Sequence, residues 1–516
     1  MIALSSSSPF RAAVTSDSAL LLYPAGFKLL LHLFAINHYG FFRDELYYLA
    51  CGEHLAWGYV DMAPIVAAVA ALSRWMMGDS LFALRLFPAV AGAVLVYLTG
   101  VMARELGGGR IAAFVAQLAV LVGGVYLAIG NFLSMNAFEQ VLWPLAAYLV
   151  IRIINTGNQK LWLWFGMVAG AGLLTKHSTV FFGFAVFAGL LLTKERRAFA
   201  QPWIWMGGVL AAVIFLPNLV WQVQHGWPTI ELLENVKATG KNVVLSPQAF
   251  LFRQAFMLNF FTLPVWLAGL WFFFLSSQGK RYRALGLAYL VLLVTFILME
   301  AKDYYVAPFY PILMAAGGVA WEPLLRRRKA VFATGIVLLA ASGVLSALLT
   351  LPILPPAPYL KLMHGLGITP PRSEVSHNSA LPQHLADQFG WEEIVQKVAT
   401  VYQSLPPEER AKVCIFAGNY GDAGAVDFFG KRYGLPKAIS GHQNYFLWGP
   451  RACSGEVLIT VAEPPEDVRK SFAEVVETLR PNHPYAMPWE NRNPICIARK
   501  PKFPVKELWP RVKQYR

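Results

Sequence analysis

Five clusters of polar residues interrupt a strongly apolar chain. The first is Arg43-Asp44-Glu45 and the second Asp61-Met62-Ala63-Pro64. The third pairs Asn136 with Glu139, one helical turn apart. The fourth is Leu174-Thr175-Lys176-His177, and the fifth Lys302-Asp303-Tyr304-Tyr305, followed by Pro308 and Pro311. Carboxylates can accept a proton from a hydroxyl. Lysine and arginine can hold a phosphate as negative charge grows on it. An ionised group at membrane depth costs roughly 2.5–3.5 kcal/mol on insertion scales, so such groups face a polar cavity or mark function. A lone lysine at the end of an apolar helix is ordinarily a snorkelling anchor. The weight therefore rests on the clusters reaching the same side of a membrane.

The elements that must carry them are read from hydropathy. The chain has 516 residues, 56% hydrophobic and 14% charged, with mean hydropathy +0.46; a soluble domain carries about 25% charged residues. A bilayer core needs about 20 apolar residues per helix. Such stretches lie near 18–38, 81–103, 111–130, 137–154, 161–175, 178–193, 203–222, 249–275, 284–299, 306–325 and 330–351, which predicts about 11 transmembrane helices. Alternate loops carry Arg104 and Arg110; Arg152 and Lys160; Lys194, Arg196 and Arg197; Lys280, Arg281 and Arg283; and Arg326 through Lys329. The positive-inside rule makes that side cytoplasmic. The N-terminus is then inside, and the five clusters and everything past residue 351 lie outside. The net charge of +14 reads as this topology signal, not as a nucleic-acid surface. Residues 1–17, Ser-rich and unlike a cleavable signal, read as a disordered cytoplasmic tail.

The expected organisation is thus 1–17 tail, 18–351 membrane domain, 352–390 linker and 391–516 exported α/β domain. The first outer segment, about 41–80, reads as two helices in or near the interface. In the last domain, Trp391–Leu405 reads as an amphipathic helix and 412–417 as a strand. Asn419-Tyr420-Gly421-Asp422 reads as a turn into a helix ending near Gly434. Then follow a strand over 456–462, a helix over 466–480 and a strand over 494–498. The cysteines are Cys51, Cys414, Cys453 and Cys496, with no zinc spacing. Cys453 precedes one strand and Cys496 lies in another, so an exported domain could join them; the alternative is two buried thiols.

The membrane part, about 20–350, resembles the bacterial family-39 glycosyltransferases of the GT-C superfamily. These are relatives of the protein O-mannosyltransferases and the lipid A aminoarabinose transferases. Arg43-Asp44-Glu45-Leu46-Tyr47-Tyr48, Arg85-Leu86-Phe87-Pro88, Gly172-Leu173-Leu174-Thr175-Lys176 and the stretch from Lys302 to Pro311 carry the resemblance. The tail resembles the exported domain of a subgroup through Phe389-Gly390-Trp391-Glu392 and Asn419-Tyr420-Gly421. The resemblance implies a polyprenyl-phosphate sugar donor and inverting transfer to a lipid, glycan or protein hydroxyl outside the cytoplasmic (inner) membrane. Asp44 would be the base, with Glu45 its neighbour. Arg43, Lys176, His177, Lys302, Tyr304 and Tyr305 would serve donor phosphate or substrate, with Asp61, Asn136 and Glu139 nearby. Arg85 matches a family arginine that either joins them or braces its span.

Two positions depart from the pattern. Met62-Ala63-Pro64 stands where relatives often carry His-Pro-Pro or Lys-Pro-Pro, and Asn136 stands where an aspartate is common. Hard cations want several oxygens, and no compact acidic cluster is visible, so no obligatory metal or other cofactor is expected. The alternatives are a transporter or flippase of a lipid-linked sugar, which would favour internal repeats and broken spans, and a non-catalytic receptor.

Overall fold

The computed structural model describes residues 16–516 apart from 371, 373 and 377. Residues 1–15 of the expected tail lie outside the described residues. The chain divides into two compact units. One takes the chain up to Ile36, Arg85–Pro217 and Val244–Ile353; the other takes Asn37–Leu84, Asn218–Val243 and Leu354–Arg516. The first outer segment and 218–243 therefore share a unit with the tail.

In the first unit the apolar stretches become helices. Among the described residues six helices are long and apolar enough to cross a membrane: Asp17–Ala35, Leu81–Glu105, Met135–Thr156, Pro202–Gln224, Gly279–Leu298 and Lys329–Thr350. Arg110–Val122, Leu161–Thr175 and Thr179–Leu191 are shorter apolar helices. Ser16 caps the first helix by accepting from the Ala19 N–H at 3.2 Å. Arg104 and Arg110 then hold Asp17 of its first turn at 2.5 and 2.7 Å.

The expected span 249–275 is not one rod. Pro247–Met257 and Phe260–Leu275 meet at 92°, and counting that pair gives up to seven spans. Asn259 sits at the corner with φ 75°, a conformation asparagine tolerates better than most residues. Its side chain secures the bend, accepting from the Phe261 N–H at 3.1 Å and donating to Ser342 and Ser346 at 2.9 and 3.2 Å. The stretch 111–130 is likewise interrupted at Gly123, between Arg110–Val122 and Gly124–Ile129. Small residues set the packing, as in membranes generally. A methyl on Gly269 would strike the Leu313 carbonyl, and one on Gly317 the Val265 carbonyl, so Leu263–Leu275 and Tyr310–Arg327 cross with backbones touching.

The second unit holds the two expected outer helices, Arg43–Glu53 and Ile65–Met77, and a four-stranded sheet. Its strands are β1 (Val413–Ala417), β2 (Val457–Val461), β3 (Phe472–Glu477) and β4 (Cys496–Pro501), in the order β1-β2-β4-β3. β1 and β2 run parallel, and the other pairs antiparallel. Trp391–Ser404 and Tyr420–Phe429 are helical.

Two expectations for the tail are corrected. The helix predicted over 466–480 stops at Ser471, and β3 follows. The charged spacing of this segment looks helical, but Val475 and Val476 suit a strand. Pairing with β4 also sets Glu474 opposite Arg499, 3.6 Å apart. The disulfide joins Cys414 to Cys453, not Cys453 to Cys496. Cys453 enters β2 at the end where β1 begins, whereas Cys496 lies opposite Thr460 at the far end of β2 and is a buried free thiol.

Candidate functional site

The first unit gathers three of the five clusters around one cation. Leu161–Thr175 and Thr179–Leu191 form a tight hairpin whose corner is Lys176, His177 and Ser178. The hairpin needs Gly172, because a methyl there would lie 2.8 Å from the Thr179 side chain. The Lys176 ammonium donates to Asn136 Oδ1 at 2.8 Å and to Glu139 Oε2 at 3.0 Å. Ser178 donates to the other Glu139 oxygen. The Tyr305 ring centre lies 4.1 Å from the ammonium and that of Tyr304 5.8 Å. The side chains of Lys176 and Glu139 are only 12% and 3% exposed, so this is a buried ion pair wrapped by aromatic faces.

The remaining candidates of this unit sit in different settings. Lys302 is extended and opens the tight turn Asp303–Phe309. The His177 ring packs edge-on against Phe215, 5.8 Å away. Arg85 is fully buried and donates to the Ile36 carbonyl at 3.1 Å, a bracing contact. One buried pair went unread in the sequence. Lys28 donates to the Tyr126 carbonyl at 2.9 Å, and His32 lies 3.1 Å from the Leu127 carbonyl. Those carbonyls belong to the short helix Gly124–Ile129, whose final turn leaves acceptors free of helical partners.

The second unit gathers the other two clusters. Asp44 stands in the first turn of Arg43–Glu53, and its Oδ1 accepts from Tyr420 Oη at 2.8 Å. Tyr47, one turn on, donates to Asp61 Oδ1 at 3.0 Å. The Tyr47 and Tyr420 rings lie 4.7 Å apart at 33°. Asn444 completes the frame, its N–H donating to Tyr47 Oη at 3.3 Å and its Oδ1 accepting from the Val60 N–H at 2.7 Å. Burial pushes the Asp44 carboxyl up, against the lowering pull of Tyr420 and Arg43. Burial also pushes Asp61 up to about 7. Both side chains keep part of their surface open, so each is a partly accessible acid whose proton affinity burial has raised.

The neighbours of Asp44 in its motif are turned to other tasks. Glu45 is fully buried and accepts from the Phe42 N–H at 2.8 Å, capping its own helix. The Arg43 guanidinium lies over the Tyr420 ring at 4.7 Å and the Trp489 ring at 5.9 Å. It sits in the field of Glu490 and Asp387, and burial pushes Asp387 up to about 8. Among the described residues no group of three or more His, Cys, Asp or Glu is arranged to hold a metal ion.

Residues 61–221 match the family model for dolichyl-phosphate-mannose-protein mannosyltransferases. That stretch includes Asp61, Asn136, Glu139 and Lys176 and begins after Asp44. A lipid A galacturonosyltransferase of Rhizobium johnstonii is 24% identical over 197 residues, 38% of this chain and 41% of its own. A polyprenol-phosphate-mannose–protein mannosyltransferase of Corynebacterium glutamicum is 27% identical over 146 residues, 27% of this chain and 28% of its own. The matched segment thus spans less than half the length of these curated relatives. The likeness of fold extends much further. ArnT from Cupriavidus metallidurans bound to undecaprenyl phosphate covers 94% of this chain with 98% of its own, at TM-score 0.60 and 13% identity. Its apo form gives 0.62 over 92% of this chain. The chain shares the fold of ArnT along nearly its whole length. As in the sequence-based expectation, the chain combines several helices apolar enough to cross a membrane with a small α/β tail.

Proposed function

We propose that this chain is a membrane glycosyltransferase moving a sugar from a polyprenyl-phosphate donor to an acceptor hydroxyl, with inversion and with Asp44 as general base. The observation that carries the reading is the state of Asp44. It is a partly open carboxylate, raised in proton affinity by burial, whose partner is a hydroxyl at 2.8 Å. A base works best when its pKa approaches the operating pH. In the reaction the acceptor oxygen attacks the anomeric carbon, the bond to the phosphate oxygen breaks, and Asp44 takes the acceptor proton. The phosphate leaves with added negative charge, which suits the cations Lys176 and Lys302. The fold likeness to a protein solved with undecaprenyl phosphate supports the donor class, as does the name of the Corynebacterium relative.

The reading places the chain in the cytoplasmic membrane with its N-terminus inside and its tail outside, following the one-sided basic loops. It needs no obligatory metal, since lysine supplies the charge that meets the phosphate. One feature favours the transporter alternative, the bent pair Pro247–Leu275, because broken helices line transporter sites. The test offers purified protein undecaprenyl-phosphate mannose and undecaprenyl-phosphate galacturonate, with envelope extract as acceptor. Transfer that falls about 10²–10⁴-fold in Asp44→Asn supports the base. A stable Asp44→Asn protein with near wild-type turnover overturns it. Movement of the lipid-linked sugar across vesicles without transfer favours the transporter.

A further inference from the structure

The exported tail reaches the acidic motif through one side chain. Tyr420 begins the helix Tyr420–Phe429, capped by Asn419, whose Oδ1 accepts from the N–H groups of Gly421 and Asp422 at 2.8 and 3.1 Å. The helix is pressed onto Arg43–Glu53. A methyl on Gly421 would lie 2.7 Å from Arg43 Cγ, and one on Gly424 2.8 Å from the Leu46 backbone. The Tyr420 ring is clamped between neighbours, with Tyr47 at 4.7 Å, His442 at 4.8 Å and the Arg43 guanidinium at 4.7 Å. These contacts hold the ring with its hydroxyl aimed at Asp44 Oδ1, 2.8 Å away.

We infer that Tyr420 is a positioning residue for Asp44, contributed by the tail domain. By occupying Oδ1 it fixes the plane of the carboxylate and leaves Oδ2 as the oxygen that meets an acceptor hydroxyl. A hydrogen bond to the charged form also lowers proton affinity, so Tyr420 opposes the upward push of burial on Asp44. The hydroxyl stays a donor, because burial and the neighbouring Asp44 charge hold its own pKa well above the usual phenol range. The other charged groups acting on Asp44 are Arg43, Lys241, Glu374, Asp61 and Asp387. The Tyr48 phenol also feels the Asp44 charge, whereas Tyr420 holds Asp44 by a direct hydrogen bond.

This inference rests on the reading of Asp44 as base, so Tyr420→Phe and Asp44→Asn are measured together. Phenylalanine keeps the ring contacts and removes only the hydroxyl. Isotope-edited infrared titration gives a readout independent of substrate, with the Asp44 band assigned by its loss in Asp44→Asn. The expected result for Tyr420→Phe is a melting temperature near wild type and an Asp44 band titrating at higher pH. Turnover with the two undecaprenyl-phosphate sugars should fall roughly tenfold, the scale of one hydrogen bond to a charged group, with donor KM unchanged. An unmoved titration overturns the inference, even where activity falls together with the melting temperature. Wild-type turnover in Tyr420→Phe beside an inactive Asp44→Asn overturns it while sparing the base. An active Asp44→Asn overturns both.

Discussion

Lys176→Met separates structural from chemical work in the first unit. Wild-type Lys176 answers Glu139 at 3.0 Å and Asn136 at 2.8 Å, with both members of the ion pair largely buried. Removing one partner of a buried pair typically costs about 3–5 kcal/mol, because the other charge is left behind. Ser178 still donates to Glu139, which places the expected loss toward the lower end. Adding Glu139→Gln removes the stranded charge, and the double variant should return to within about 1 kcal/mol of wild type, the net scale of a neutral hydrogen bond. On the proposed reading donor handling should not return with it, since the Lys176 ammonium that would meet the phosphate is gone. The assay is thermal unfolding in detergent beside binding of undecaprenyl phosphate and transfer from its sugar conjugates. Recovery of stability together with binding and transfer in the double variant would refute the phosphate role and leave Lys176 as the counter-ion of Glu139. A single variant as stable as wild type would refute the buried-pair energetics.

Asp61 gives a pH signature. Its folded pKa of about 7 lies above the ordinary 3.8, so the folded state binds the extra proton and stability falls as pH rises between those values. Asp61→Asn should therefore melt above wild type at pH 8 and alongside it at pH 4; the opposite order would contradict the burial of this carboxyl. Peptide mapping without reductant should recover Cys414 linked to Cys453, and Cys496 should be alkylated only after unfolding. Transfer should survive dialysis against EDTA, and a loss restored by Mg²⁺ or Mn²⁺ would make the metal obligatory.

Much of the membrane fold is legible because a bilayer leaves few options: apolar runs must be helices, and basic loops mark one side. The hairpin corner at Lys176 is legible too, since the polar pair splits two short apolar runs. The right angle at Asn259 is hidden, because neither Asn259 nor Pro264 distinguishes a bend from an ordinary span interior without Ser342 and Ser346 on another helix. β3 is hidden for a similar reason, as its partner β4 overrides a locally helical charge pattern. The acidic site is half legible. Asp44 and Asp61 stand out by type, whereas Tyr420 lies in a motif read as a turn into a helix and noted for its resemblance, with nothing local that marks it as a partner of Asp44. Its bond to Asp44 spans 376 positions and depends on the close approach allowed by Gly421 and Gly424. Lys28 and His32 escape notice because the helix ending at Ile129, which satisfies them, is far off in sequence.

Lys28 also bears on how the chain enters the bilayer. It is fully buried within Asp17–Ala35, and its acceptor, the Tyr126 carbonyl, is synthesised about a hundred residues later. When the first helix leaves the ribosome, its ammonium has no such acceptor, and a lysine at mid-helix disfavours insertion by roughly 2.5–3.5 kcal/mol. The ammonium of the first segment is therefore satisfied only once the segment ending near Ile129 is present. The polar interior of an early helix is thus completed by a stretch that lies about a hundred residues further along the chain.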